Sequence, residues 1–133
     1  MNLILDTHAL IWWMHDSTDR LSRVQRAALL DAEKHDRPMA LSAITLWEVA
    51  MLVERRRIAA AKPLVEFLKD IDSHPLLDIL PLTTSIASES VRLGDDFHRD
   101  PADQIIVATA RCHGLALITA DERIRKWGKV ALI

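Results

Sequence analysis

Asn2-Leu3-Ile4-Leu5-Asp6-Thr7 is a short, mostly apolar run that ends on a carboxylate and a hydroxyl. No polar residue alternates through Leu3, Ile4 and Leu5, so a strand built from them must be covered on both faces. A near-continuous apolar strand is the mark of a parallel sheet with helices on each side. The residues that follow supply the first of those helices, Ala9 to His15, with apolar Leu10, Ile11, Trp13 and Met14.

The same alternation continues along the chain. Ser22 is placed to cap a helix from Arg23 to about Lys34. Pro38-Met39-Ala40-Leu41 reads as a second strand, and Ala43 to about Arg56 as a helix rich in Ala, Leu, Met and Glu. Pro63 suits the first position of a helix running to about Asp72. Asp78 to Leu82 reads as a third strand, with Pro81 marking an edge or an end. A helix from Thr84 or Ser85 closes at Gly94, and another runs from Pro101 to Gly114. Leu115 to Thr119 gives the fourth strand, Glu122 to Trp127 a short helix, and Lys129 to Ile133 a candidate fifth strand. Strands separated by helices predict an α/β fold with a parallel sheet and helices on both faces. With no linker long enough to divide it, residues 1–133 read as a single domain.

Composition narrows the function classes. At this length roughly two-thirds of the unfolded surface is buried on folding, so no disulfide or structural metal is required. The lone cysteine, Cys112, rules out an internal disulfide framework and reads as a small buried residue on a helix. It fits a reducing compartment, and the expected location is the cytoplasm. The apolar run Ala9 to Met14 is too short to span a bilayer, and no basic leader precedes it. Seventeen basic against 19 acidic side chains give a formal charge of −2. Bulk electrostatics therefore do not draw this chain to nucleic acid, and any chemistry on a polyanion must be local.

Four acids stand out by their surroundings. Asp6 follows the apolar run Leu3-Ile4-Leu5, and Asp121 comes just after the strand ending at Thr119. Glu48 is the only charge between Leu41 and Val53. Asp103 lies in the first turn of the helix that leads into the fourth strand. Ligands of doubly wound sheets bind beyond the carboxyl ends of the strands, where strand order reverses. If strands one and four are neighbours there, all four acids converge. Clustered carboxylates do not stay ionised together without a cation, and Mg²⁺ or Mn²⁺ suits an oxygen donor set. Capping explains Asp6, Asp100 and Asp121 individually, and Asp103 falls where a capping-box acid would. Glu48 has no free amide to cap, and a lone acid on an apolar helix is expensive to bury.

Four segments carry a family resemblance. Leu3-Ile4-Leu5-Asp6-Thr7-His8, Leu41-Ser42-Ala43-Ile44-Thr45-Leu46-Trp47-Glu48-Val49, His98-Arg99-Asp100-Pro101-Ala102-Asp103-Gln104-Ile105-Ile106 and Leu117-Ile118-Thr119-Ala120-Asp121-Glu122 together resemble the PIN-domain nucleases, and among them the VapC-type toxins of toxin–antitoxin pairs. The resemblance implies a parallel sheet of order 3-2-1-4-5. It implies Asp6, Glu48, Asp103 and Asp121 as metal-binding, catalytic acids, with Thr119 as a supporting hydroxyl. It further implies Mg²⁺-dependent endoribonuclease activity that leaves a 5′-phosphate and a 3′-hydroxyl, a homodimer, and a small antitoxin partner. Similar sequences often carry an arginine after the third acid, where this chain has Gln104.

Other features have plainer readings. Arg55-Arg56-Arg57 suits the helix dipole, with a phosphate-contacting rim as the functional version. His98 reads as a surface-loop histidine and Trp47 as core. Trp12 and Trp13 cannot share one helix face, so one of them is a candidate docking residue for an antitoxin or a second copy. A phosphoryl-transfer domain of receiver or haloacid-phosphatase type also has an acid after strand one, but Asp6-Thr7-His8 lacks the paired acid such domains need. A non-catalytic binding module on the same fold is the remaining alternative.

Overall fold

The computed structural model describes residues 2–133. Four strands, β1 (Leu3–Leu5), β2 (Met39–Ser42), β3 (Leu77–Leu80) and β4 (Ala116–Ile118), form one sheet. All pairings are parallel, and the order is β3-β2-β1-β4. Seven helices connect them: α1 (Thr7–Met14), α2 (Arg23–Lys34), α3 (Ala43–Glu54), α4 (Leu64–Asp72), α5 (Thr84–Ser90), α6 (Pro101–His113) and α7 (Glu122–Trp127).

Strand residues alternate between two cores, as their pleat requires. Leu5, Met39, Leu41 and Ile118 pack with Leu10 of α1, Leu29 of α2, Val49 of α3 and Ile71 of α4. Ile4, Ala40 and Leu117 pack on the other face with Ile106, Val107 and Ala110 of α6 and Ile124 of α7. Both faces are covered, which is why the strands need no polar side. The chain adds β2 and β3 on one side of β1 and then crosses to place β4 on the other. Strand order therefore reverses between β1 and β4, and the crevice opens there.

The structure departs from the sequence expectations at several ends. The α1 helix starts at Thr7 rather than Ala9 because Asp6 caps it. The α3 helix stops at Glu54, and Arg56 with φ of 55° turns the chain away. Pro63 is the cap of α4 rather than its first residue. Pro81 and Leu82 fall outside β3, and α5 ends at Ser90, well short of Gly94. The fifth strand is reduced to one parallel bridge, Leu117 to Leu132. Gly128 closes α7, and Lys129 is held 2.8 Å from Asp96, so only the residues beyond Val130 reach β4. A single-turn 3₁₀ helix, Thr18–Arg20, had no sequence signal.

Two side chains expected in the core are not there. Trp47 is 55% exposed on α3, and Cys112 is exposed on α6. Trp12 and Trp13 are both half-buried, sharing the first core from its edge. Among the described residues no helix is long and apolar enough to cross a membrane.

Candidate active site

The carboxyl ends of β1 and β4 are tied together before any side chain is considered. Asp6 N donates to Ile118 O at 3.2 Å. Thr119 continues from β4, and its carbonyl accepts from Gln25 Nε2 of α2 at 2.8 Å and from Arg125 of α7 at 3.1 Å. A cavity of about 280 Å³ opens at this point, lined by Asp6, Thr7, His8, Trp12, Glu48, Asp100, Asp103, Ala120, Asp121 and Arg123. All four acids singled out from the sequence face it, each from a different segment.

Asp6 is buried and uses its two oxygens differently. Oδ1 accepts from Ala9 N at 2.8 Å and so caps α1, while Oδ2 accepts from the Thr119 hydroxyl. That hydroxyl in turn accepts from Asp121 N at 3.0 Å, so one buried threonine orients two of the acids. Asp121 caps α7 through Oδ1, which accepts from Arg123 N at 2.8 Å. The capping and pocket readings are thus both true of Asp6 and Asp121. Asp100 is a cap as well, accepting from Asp103 N at 3.1 Å. The Asp103 side chain does not complete a capping box. It accepts instead from His98 Nε2 at 2.7 Å. Glu48 leans from the second turn of α3 toward α1, where the Thr7 hydroxyl donates to its Oε1. Thr45 lies one turn earlier, its hydroxyl 3.3 Å from that of Thr7.

The electrostatics follow from this crowding. Burial pushes the Asp6 carboxyl up to about 6, against the lowering effect of its hydrogen bonds. Burial also raises Glu48 and Asp103, and the negative charge of neighbouring acids adds to both shifts. Asp121 behaves oppositely. Its burial is outweighed by the side-chain and backbone hydrogen bonds from Arg123, which hold it below the usual carboxylate range. Three acids that resist ionisation beside a fourth that does not are a site short of positive charge.

The donor set suits a hard divalent ion. Ligand atoms of His98, Asp103 and Asp121 lie within 4.8 Å of one another, and Asp6, Glu48 and Asp100 add further carboxylate oxygens around the cavity. His98 is the correction here. It is not a free surface-loop residue, since its side chain is 14% exposed, stacked on Phe97 with ring centroids 4.5 Å apart, and bonded to Asp103. Arg123 is the other residue that sequence reasoning passed over, and its only signal was its place two residues after Asp121. Arg55, Arg56 and Arg57 lie exposed beyond the far end of α3 and do not line the cavity. Gln104 likewise contributes nothing to it.

Comparison with known proteins identifies the family. The PIN domain family model matches residues 3–130. Ribonuclease VapC22 of Mycobacterium tuberculosis is 36% identical over 123 residues, covering 92% of this chain and 89% of that protein. Among solved structures, VapBC2 from Rickettsia felis bound to a DNA fragment from their promoter superposes with a TM-score of 0.72 at 17% identity, covering 100% of this chain and 98% of that one. A toxin–antitoxin complex from Klebsiella pneumoniae gives 0.65 at 24% identity, covering 99% and 96%. These two structural likenesses speak for the fold. The matched family model and the curated relative, each spanning nearly the whole chain, establish that the chain belongs to the PIN-domain family.

Proposed function

We propose that this protein is a divalent-metal-dependent endoribonuclease, with Mg²⁺ as the working ion and Mn²⁺ as a substitute, and that it is the toxin of a toxin–antitoxin pair. The observation that carries the reading is the convergence of Asp6, Glu48, Asp103 and Asp121 on one cavity at the sheet's switch point. The ribonuclease relative supports RNA as substrate. The complexes that share the fold support a small protein partner. A homodimer and a cytoplasmic location complete the reading.

Asp6 and Asp103 are the principal ligands in this proposal, with Glu48 and Asp121 completing the acidic shell. A bound divalent ion supplies Lewis acidity, polarising the scissile phosphodiester and acidifying water. The chain's own residues set the geometry. Thr119 fixes the Asp6 carboxylate and His98 fixes Asp103, so neither has to be reoriented when charge arrives. Glu48 Oε1 is occupied by the Thr7 hydroxyl, which leaves Oε2 to take a proton from the attacking water.

The test is Asp6→Asn. Wild-type protein should cleave RNA in Mg²⁺, lose activity in EDTA and arrest growth on expression without its partner. The variant should lose cleavage by at least about a hundredfold and lose toxicity with it. Cleavage and toxicity that both survive the change would remove the Asp6 cavity as the source of the activity, and wild-type protein that binds RNA but cleaves none would make a binding module the better account.

A further inference from the structure

Arg123 sits at the mouth of the cavity with an unusual set of partners. Its Nη2 lies 3.0 Å from Asp121 Oδ2 and 3.8 Å from Asp103 Oδ2, the same oxygen that His98 contacts. Its Nε lies 3.4 Å from Asp121 Oδ1. The guanidinium therefore already occupies the place of a cation between two of the acids. Yet the side chain is 61% exposed, so its pairing is held in water and is cheap to break.

The charge balance of the cavity asks more of this residue. Five carboxylates line it, and Arg123 is the one permanently charged cation among the described residues that do. An RNA strand approaching that wall is repelled unless positive charge meets it first. A planar guanidinium at the rim is the group best shaped to take two phosphate oxygens at once.

We propose that Arg123 is a substrate-binding residue that exchanges partners: without a divalent ion it closes on Asp121 and Asp103, and with the ion present it turns to the RNA phosphate. This rests on the nuclease reading above, and it adds to that reading the contact that offsets the acidic wall. The same contact sets one permanent positive charge at the cavity mouth of a chain whose formal charge is −2.

The experiment compares wild type, Arg123→Gln and Arg123→Lys. The Arg123 backbone amide still caps against Asp121 in both variants, so α7 keeps its start. Binding of Mn²⁺ alone, read by its paramagnetic resonance signal, should tighten several-fold in Arg123→Gln because an internal competitor is gone. With RNA in Mg²⁺, KM should rise about tenfold while kcat changes by less than about threefold, and lysine should recover part of the loss. The slope of log KM against log salt should fall by about 0.7, the value for one lost contact to a single strand. A KM and a salt slope equal to wild type would overturn the substrate contact. Mn²⁺ binding that is unchanged or weaker would overturn the exchange. Wild-type protein that binds Mn²⁺ but cleaves nothing would instead remove the nuclease reading, and the Mn²⁺ titration would still decide the exchange.

Discussion

Asp6 is held in a state that its neighbours make unfavourable. The carboxyl is buried against the end of β1 and titrates near 6, whereas in the unfolded chain it titrates near about 3.9. The native state therefore binds the proton more tightly than the unfolded one. Such a group adds stability below about pH 4 and loses it as pH rises through about 6. Above that the metal-free protein carries the full penalty, on the order of 2–3 kcal/mol from this residue alone. Asparagine keeps the shape and the cap without the charge. Metal-free Asp6→Asn should thus unfold at a higher temperature than wild type at pH 8, with the gap closing toward pH 4.5. Thermal unfolding in EDTA across that range measures it, and a variant no more stable than wild type at pH 8 would refute the account. A variant that gained stability as it lost activity would carry the ordinary signature of a site shaped for its ligand rather than for the fold.

Elements were legible in the sequence where local chemistry decides them. Ser22 with Gln25 forms a full capping box, and α2 runs over the very residues its periodicity marked. The α7 helix and the start of α6 at Pro101 were equally plain. Ends set by tertiary contact were not. Nothing local says that the last residues manage only a bridge, whereas the start of α1 at Thr7 is set locally by Asp6 accepting from Ala9 N. Trp47 shows the limit of composition, because a strongly apolar helix leaves a large side chain in water. The acids were legible because each broke an apolar stretch. His98 and Arg123 were not, since a histidine and an arginine beside loops carry no such contrast. Gly114 offers a test at this scale. It ends α6 with φ of 64°, its place marked by a Leu115 N to Ala110 O bond of 2.9 Å, and a Cβ there would meet nothing within 4 Å. Gly114→Ala should therefore destabilise by about 1 kcal/mol through the backbone alone. The helix sets Gly114 about 16 Å from Asp103. Denaturant unfolding should register the loss while kcat and KM for RNA stay at wild-type values.

At the scale of the molecule, fold and site oppose each other through charge. The parallel sheet brings β1 beside β4 and so delivers acids from distant segments to one crevice, whether or not a cation is present. Raised proton affinities at Asp6, Glu48 and Asp103 are the price of that arrangement. A divalent ion removes it by binding only the folded form. At a concentration one hundred times its dissociation constant, an ion that ignores the unfolded chain stabilises by about 2.7 kcal/mol. For a domain of this size that is a rise of roughly 8–10 °C in Tm. The rise must depend on pH, because at pH 5 the ion has to displace a proton from Asp6, whereas at pH 8 it finds that carboxylate ionised. Scanning calorimetry of wild-type protein with and without Mg²⁺ should show the larger gain at pH 8, and Asp6→Asn should show little gain at either pH. An equal gain at both values, or one that survives the substitution, would mean the ion binds somewhere other than this cavity. The sheet would then have gathered its acids for a different purpose.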